Sequence, residues 1–297
     1  MTSVWGGNIT LNANSIFDIT AGHQLTVQGV ISGTGALTKI NQGLLILAND
    51  NTYTGITNVD QGTLSVTGSL SDSTALVVAN GATYSVGADD TIASIAGSGS
   101  IQLNSFTLTV GDSNNQTVSG QISGSGNLVK QGSGTLTISG TNTYTGDTNI
   151  TAGTLRLTGS LANVTDVVMS NDAVWDLQVA QTVASLTMAS ANSITNTSGT
   201  SSLTVSGVST LANNITTSGT QTYTGAVTLS SDVELSSSNS NITFVAAITG
   251  SGKDLTVSTG NGAITLANVG TSAASLGDVV LNSSGATTLG GAVYAAS

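Results

Sequence analysis

Shifted by 91 positions, the chain matches itself. Residues 33–70 read "GTGALTKINQGLLILANDNTYTGITNVDQGTLSVTGSL" and residues 124–161 read "GSGNLVKQGSGTLTISGTNTYTGDTNITAGTLRLTGSL". Twenty of these thirty-eight positions are identical, and no gap is needed. The likeness continues more weakly: Val77, Asn80, Tyr84, Val86, Ile92 and Ser94 face Val168, Asn171, Trp175, Leu177, Val183 and Ser185. An aromatic faces an aromatic, and aliphatics face aliphatics. A chain that repeats in register over so long a stretch is built from stacked copies of one supersecondary unit.

Inside each cassette a shorter rhythm appears. "GTLTI", "GTLRL", "SLTV", "AITL" and "NITF" put apolar residues at i and i+2 with Thr, Ser or another non-core residue between, and Gly, Asn or Ser bound each run. That is the period of a strand with one face buried. The stretch "NTYTG" occurs at residues 51–55 and 142–146, and "QTYTG" at 221–225. It reads as a rung followed by a corner: Asn bonds the backbone at the bend, and Gly supplies a conformation closed to other residues. Two architectures suit many short strands with regular turns, an antiparallel sandwich and a parallel solenoid. The in-register repeat favours the solenoid, and composition agrees. Only 6% of residues are charged. Stacked coils place equivalent side chains ~4.8 Å apart, where like charges repel by roughly 1 kcal/mol in water and 3 to 4 at an effective dielectric of 20. Aromatic content is 3%, in keeping with a narrow interior filled by Val, Ile, Leu and Ala. Proline, which interrupts strand ladders, is absent.

The same composition excludes several functions. With no cysteine there is neither a disulfide framework nor a thiolate metal site. Lys39, Lys130, Lys253 and Arg156 are the only cations in a chain of net charge −11, so no nucleic-acid surface and no basic membrane-binding face can be drawn. No apolar run approaches the ~18 residues of a spanning helix, so direct membrane insertion by this segment is not expected. The N-terminal "MTSVWGGNIT" is not a signal peptide. The chain therefore reads as an internal piece of a longer secreted protein.

Residues 132–157, "GSGTLTISGTNTYTGDTNITAGTLRL", together with the preceding "ISGSGNLVKQG" and the following "TGSL", resemble the autotransporter-associated β-strand repeat, also called the passenger-associated transport repeat. Residues 43–66, "GLLILANDNTYTGITNVDQGTLSV", resemble it too. The resemblance implies the passenger region of a Gram-negative surface protein, folded as a right-handed parallel β-helix outside the outer membrane. From residue 191 onward, "ITTSGTQTYTGAVTLSSDVELSSSNSNITFVAAITGSGKDLTV" resembles repeats of large filamentous-haemagglutinin-like adhesins, again β-helical. Two parts are expected: residues 1–190, holding the cassette at about 28–95 and 119–186, and residues 191–297, continuing the same solenoid.

Some β-helices degrade polysaccharides, so the placement of the ionisable residues matters. A glycosidase needs two carboxylates on one cleft. Asp89 and Asp90 are adjacent and point to opposite faces; their cassette equivalents are Ala180 and Gln181. Asp172 and Asp176 can share a strand face beside Trp175, a pattern that suits sugar or calcium. Against this stands the plainer reading, solvated surface charge. Lys39 and Lys130 occupy equivalent positions and read as structural, Lys253 lies in a turn, and His23 sits on an exposed turn. No nucleophile elbow, phosphate loop, dinucleotide fingerprint or zinc-protease motif occurs. Thr107 and Thr109, Thr135 and Thr137, and Thr143 and Thr145 fit the spacing of ice-binding Thr-x-Thr arrays, but they do not recur at a constant interval.

The sequence thus predicts an all-β, right-handed, single-stranded parallel β-helix with three strands per coil. At about 20 to 25 residues per coil it would make about 12 to 15 coils and a rod of roughly 60 to 70 Å. Leu45, Leu47, Leu64, Val66, Leu136, Ile138, Leu155 and Leu157 should point inward. The expected role is a rigid stalk or adhesin scaffold, secreted or displayed on a Gram-negative cell, whose sequential coil folding assists export. Alternatives are a polysaccharide-binding or polysaccharide-degrading enzyme, a self-associating extracellular filament subunit, and an ice-binding surface. No catalytic residue, metal ligand or cofactor is assigned. The partners implied are surface glycans or proteins of a host or neighbouring cell, with end-to-end self-association through uncapped coils near Val293 and Tyr294.

Overall fold

In the computed structural model, which describes residues 1–296, the regular elements are all β-strands, thirty-eight of them, two to six residues long. Their brevity follows from the sequence, because Gly, Asn and Ser break each alternating run after two or three apolar residues. Neighbouring strands pair in parallel, as a chain winding repeatedly in one direction must. Contacts divide the chain into two compact units, Met1–Asp147 and a second beginning at Thr148.

In the first unit the chain visits three sides in turn. One side stacks seven strands, from Thr2–Trp5 to Ile122–Ser123. Another runs from Ser15–Asp18 to Thr135–Ile138. The third begins with the pair Ile9–Leu11 and Ile31–Gly33, passes through irregular rungs, and resumes as Asp90–Ile92, Leu108–Val110 and Leu128–Lys130. The second unit has the same three-sided plan. Its sides run from Thr154–Leu157 to Val279–Ser283, from Thr148–Ile150 to Ile248–Thr249, and from Ala180–Val183 to Thr287–Leu289. Each unit is a parallel β-solenoid with three sides per coil. Coils are shorter in places than the sequence suggested: rung partners lie 17 residues apart at Thr83 and Ser100, and 24 apart at Leu255 and Val279.

The core lies inside the coils and is built of ladders. Leu45, Leu64, Tyr84, Ile101 and Ile122 stand in register on successive rungs of the first unit. Leu155, Trp175, Ile194, Ile215, Leu235 and Val257 do so in the second. All eleven are buried, as are all eight residues expected to face inward. Stacking like on like lets apolar surface close against apolar surface at every rung, the dominant favourable term in folding.

The duplicated cassette does not return to the same side. Leu44–Leu47 belongs to the first-described side, but Thr135–Ile138, 91 residues on, lies on another. Consistently, residues 51–55 lie on Ile31–Gly33 (Thr52 N to Ile31 O, 2.8 Å), whereas residues 142–146 lie on Ile122–Ser123 (Thr143 N to Ile122 O, 2.9 Å). The cassette repeats a path along the chain, not a whole number of coils.

Candidate functional site

The recurring five-residue motif is a clamp between coils. In residues 51–55 and 142–146, Asn and Tyr are buried and both Thr are exposed. Asn51 Oδ1 accepts from Ile31 N at 3.0 Å, and its Nδ2 donates to Asn49 O at 2.6 Å and Ser69 O at 2.9 Å. It thereby ties three successive coils. Asn142 repeats the first bond with Ile122 N at 2.9 Å. The motif's Gly is needed for a reason other than the one expected. Its φ is not left-handed; instead a Cβ on Gly55 would meet Gly35 O at 2.2 Å, and one on Gly146 would meet Gly126 O at 2.3 Å. Close approach of backbones, not a special dihedral, excludes a side chain there.

The two lysines of the cassette are buried, Lys39 at 0% and Lys130 at 2% exposure. Lys39 Nζ donates to Ile40 O, Asn41 O and Gln61 O at 2.9, 2.6 and 3.2 Å, and Lys130 Nζ donates to Gln131 O and Gly132 O at 2.7 and 2.9 Å. Each ammonium collects the carbonyls of a corner, so the structural reading holds. Burial lowers both pKa values, that of Lys130 to about 8, against the opposing pull of Asp18 and Asp112.

The carboxylates are not uniformly solvated surface charge, which corrects the plainer reading above. Asp89 and Asp90 do point oppositely, but Asp90 is buried. Its two oxygens accept from Leu70 N at 3.3 and 3.1 Å, from Thr91 N at 2.9 Å and from Tyr84 Oη at 3.2 Å. Burial raises its pKa to about 6; the three donors pull it down, and the charge of Asp72 adds to the rise. At the equivalent position Gln181 Oε1 accepts from Leu161 N at 2.9 Å and its Nε2 donates back to Leu161 O at 3.2 Å. Asp176 is also buried, and Asp172 is exposed in the turn before it, so the two do not form a pair facing solvent. Asp176 accepts from Thr197 Oγ1 (2.7 Å), Arg156 Nε (2.8 Å), Thr197 N (3.0 Å) and Gln178 Nε2 (2.9 Å). Burial pushes its pKa up, but these bonds prevail and hold the carboxyl below the usual range. Its oxygens are spent on protein donors, leaving little for sugar or calcium. Among the described residues no cluster of three His, Asp or Glu is placed to hold a metal.

Two features escaped the sequence. Asp232, Asp254 and Asp278 stack on successive coils, although like charges were expected to avoid such registers. Asp232 and Asp254 each accept the backbone N–H of the aspartate on the next coil, at 3.0 and 2.8 Å, and the column is exposed, so water screens the repulsion. The second feature is a regular threonine face. Thr182, Thr204, Thr222, Thr243, Thr265 and Thr288 are partners on six consecutive rungs. Unequal coil lengths hid it, since the intervals are not constant along the chain.

His23 is exposed beside its turn, with Nδ1 3.1 Å from Thr20 Oγ1, and Lys253 follows the turn at Ser251 and Gly252, both as expected. Nucleophile, base and cleft do not converge around either residue. What recurs is a repeat unit, with its lysine, clamp and inward leucines, and comparison gives it a name. The family described as passenger-associated-transport-repeat matches residues 37–66 and 128–157. Two stretches of the chain are thus similar to the passenger-associated transport repeat. Each holds one buried lysine and one clamp, and the two lie 91 residues apart, as the self-match requires. The chain is also similar to the protein named adhesin BmaC autotransporter of Brucella suis biovar 1 (strain 1330), with 39% identity over 142 residues, 44% of this chain. That stretch covers 4% of the relative's length. No solved structure matches the chain.

Proposed function

We propose that the chain is a structural passenger segment of a surface-displayed or secreted Gram-negative protein, a stiff β-helical stalk or adhesin scaffold with no enzymatic activity of its own. The observation that carries this reading is where the repeats spend their polar groups. Lys39, Lys130, Asn51, Asn142, Asp90 and Asp176 all bond backbone or neighbouring coils. The repeat family and the similarity to a protein named as an adhesin support the same reading. Each coil offers a finished edge on which the next can pair, so a chain emerging from a membrane pore would fold rung by rung and oppose back-sliding. Binding to host or neighbouring-cell glycans or proteins would belong to the longer protein.

The test uses a core substitution. Leu155 is wholly buried between two coils and Thr154 faces outward beside it. Leu155→Asp should destabilise by roughly 3 to 5 kcal/mol through an unpaired buried charge, and Thr154→Asp by under about 1 kcal/mol. Inserted into a secretion-competent passenger, the Thr154→Asp segment should be displayed like the parent and the Leu155→Asp segment poorly. Equal display of the two would remove the link between folding and export. Cleavage of a polysaccharide by the purified chain, stopped by Asp172→Asn, would overturn the structural reading itself.

A further inference from the structure

The threonine face of the second unit has properties that a stalk does not require. Around the central column of six threonines run two flanking columns. On one side Ser202, Thr220, Asn241, Ala263 and Ala286 follow one another through Leu203 N to Thr220 O, Gln221 N to Asn241 O, Ile242 N to Ala263 O and Ile264 N to Ala286 O, all at 2.9 to 3.0 Å. On the other side lie Ser206, Thr224, Val245 and Gly290, whose amides bond the rung beneath. The fifteen residues in these three columns include no charge and no aromatic ring. Among the described residues, none of the six central hydroxyls bonds to protein. The neighbouring face differs. Its ladder of Thr187, Thr210, Thr228 and Thr249 is shorter, and Thr249 Oγ1 is engaged by Thr228 Oγ1 at 3.4 Å and by Val227 O at 3.3 Å.

Beneath the threonine face the rungs are packed in register. Tyr223 and Phe244 stack inside with centroids 4.9 Å apart and planes 15° from parallel. No register shift occurs from Ala180–Val183 to Thr287–Leu289. In-register side-chain ladders are what keep many-stranded sheets from twisting. The outcome is a column of free hydroxyls and methyls repeating at the rung spacing of ~4.8 Å.

An uncharged surface with a periodic column of threonines selects a periodic, uncharged occupant. Anionic polymers and lipid headgroups need cations, which the face lacks. Tight protein partners anchor on Trp, Tyr and Arg, and none is present. Sugar rings want an exposed aromatic platform. Ordered water needs what is here: donors and acceptors at fixed spacing, with methyls between them, so that a first layer is immobilised before the occupant arrives. We propose that this face binds ice. The inference is independent of the stalk role, which makes no use of this surface.

The experiment grows ice slowly from a solution of the intact chain and measures partition into the solid, with inhibition of recrystallisation as a second readout. The parent should enter the ice and slow grain growth. The double substitution Thr222→Tyr and Thr243→Tyr should reduce both effects at least tenfold, while Thr228→Tyr on the neighbouring face should leave them unchanged. Circular dichroism checks the fold of each variant; should the tyrosines unfold the chain, Thr204→Lys with Thr265→Lys supplies the same test. Exclusion of the parent from ice overturns the proposal, as does equal activity of the substituted and parent faces. Exclusion together with dimers that the double substitution dissociates would assign the face to a second copy of the chain instead.

Discussion

Asp90 stands where the second cassette has Gln181, and the exchange sets how the two sites answer to pH. The folded-state pKa of Asp90, about 6, lies above the unfolded value of about 3.9. Between those values the folded chain holds a proton that the unfolded chain has released. The stabilising effect is therefore complete below about pH 4 and lost as pH rises through 6. Asp176 acts in the opposite sense. Its pKa is depressed, so its contribution is present above about pH 4 and lost as pH falls further. Asp90→Asn should remove the decline in thermal midpoint between pH 4 and 6 and leave the acid limb intact; an unchanged slope in that window would show that Asp90 does not titrate there. Gln181 shows that a neutral amide satisfies the same backbone groups. Inward leucines were legible at this scale because alternation alone sets their direction. Buried Asp90, Asp176 and Lys39 were legible only in part, because their partners are backbone atoms or side chains about 20 residues away, such as Leu70 for Asp90 and Gln61 for Lys39.

At the scale of the element, corners are made by one device. An Asn or Asp side chain accepts the backbone N–H of the coil beyond: Asp89 from Thr107, Asn127 from Asp147, Asn239 from Asn261, and Asn268 from Ala292. This satisfies amides that have left the ladder at a bend, and it gives several of the chain's aspartates a structural task. Glycine completes the corner where two backbones approach closely, as at Gly55 and Gly146. Gly146→Ala would set a Cβ 2.3 Å from Gly126 O and 2.6 Å from Asn127 Oδ1, the same oxygen that caps Asp147. It should cost roughly 1 to 3 kcal/mol. Gly6→Ala, with nothing within 4 Å and no left-handed φ, should be neutral. Equal denaturation midpoints for the two would mean that the coils move apart without cost. The clamp was readable as a motif because it is copied at residues 51–55 and 142–146. The threonine face was not, since its register depends on coil lengths that only the paired strands reveal.

Across a whole unit, coupling passes from each coil to its neighbours and hardly farther. A solenoid's stability is close to a sum of coil and interface contributions, unlike that of a globular core, where every element touches a common centre. The strand Leu108–Val110 shows what this implies for the first unit. It pairs with Asp90–Ile92 on one side and Leu128–Lys130 on the other. Thr109→Pro would remove one ladder donor and strain the register on both sides. Amide exchange should then lose protection in those two neighbouring strands and in the mutated one. Leu44–Leu47, several coils away in the same unit, keeps its own partners Gln24–Val27 and Thr63–Val66 and should exchange as slowly as before. Uniform loss of protection through the unit would show a single cooperative core and contradict the one-dimensional account. Local loss would explain how such a chain tolerates a coil pattern that drifts from 17 to 24 residues, because a change in one coil is felt only by the coils that touch it.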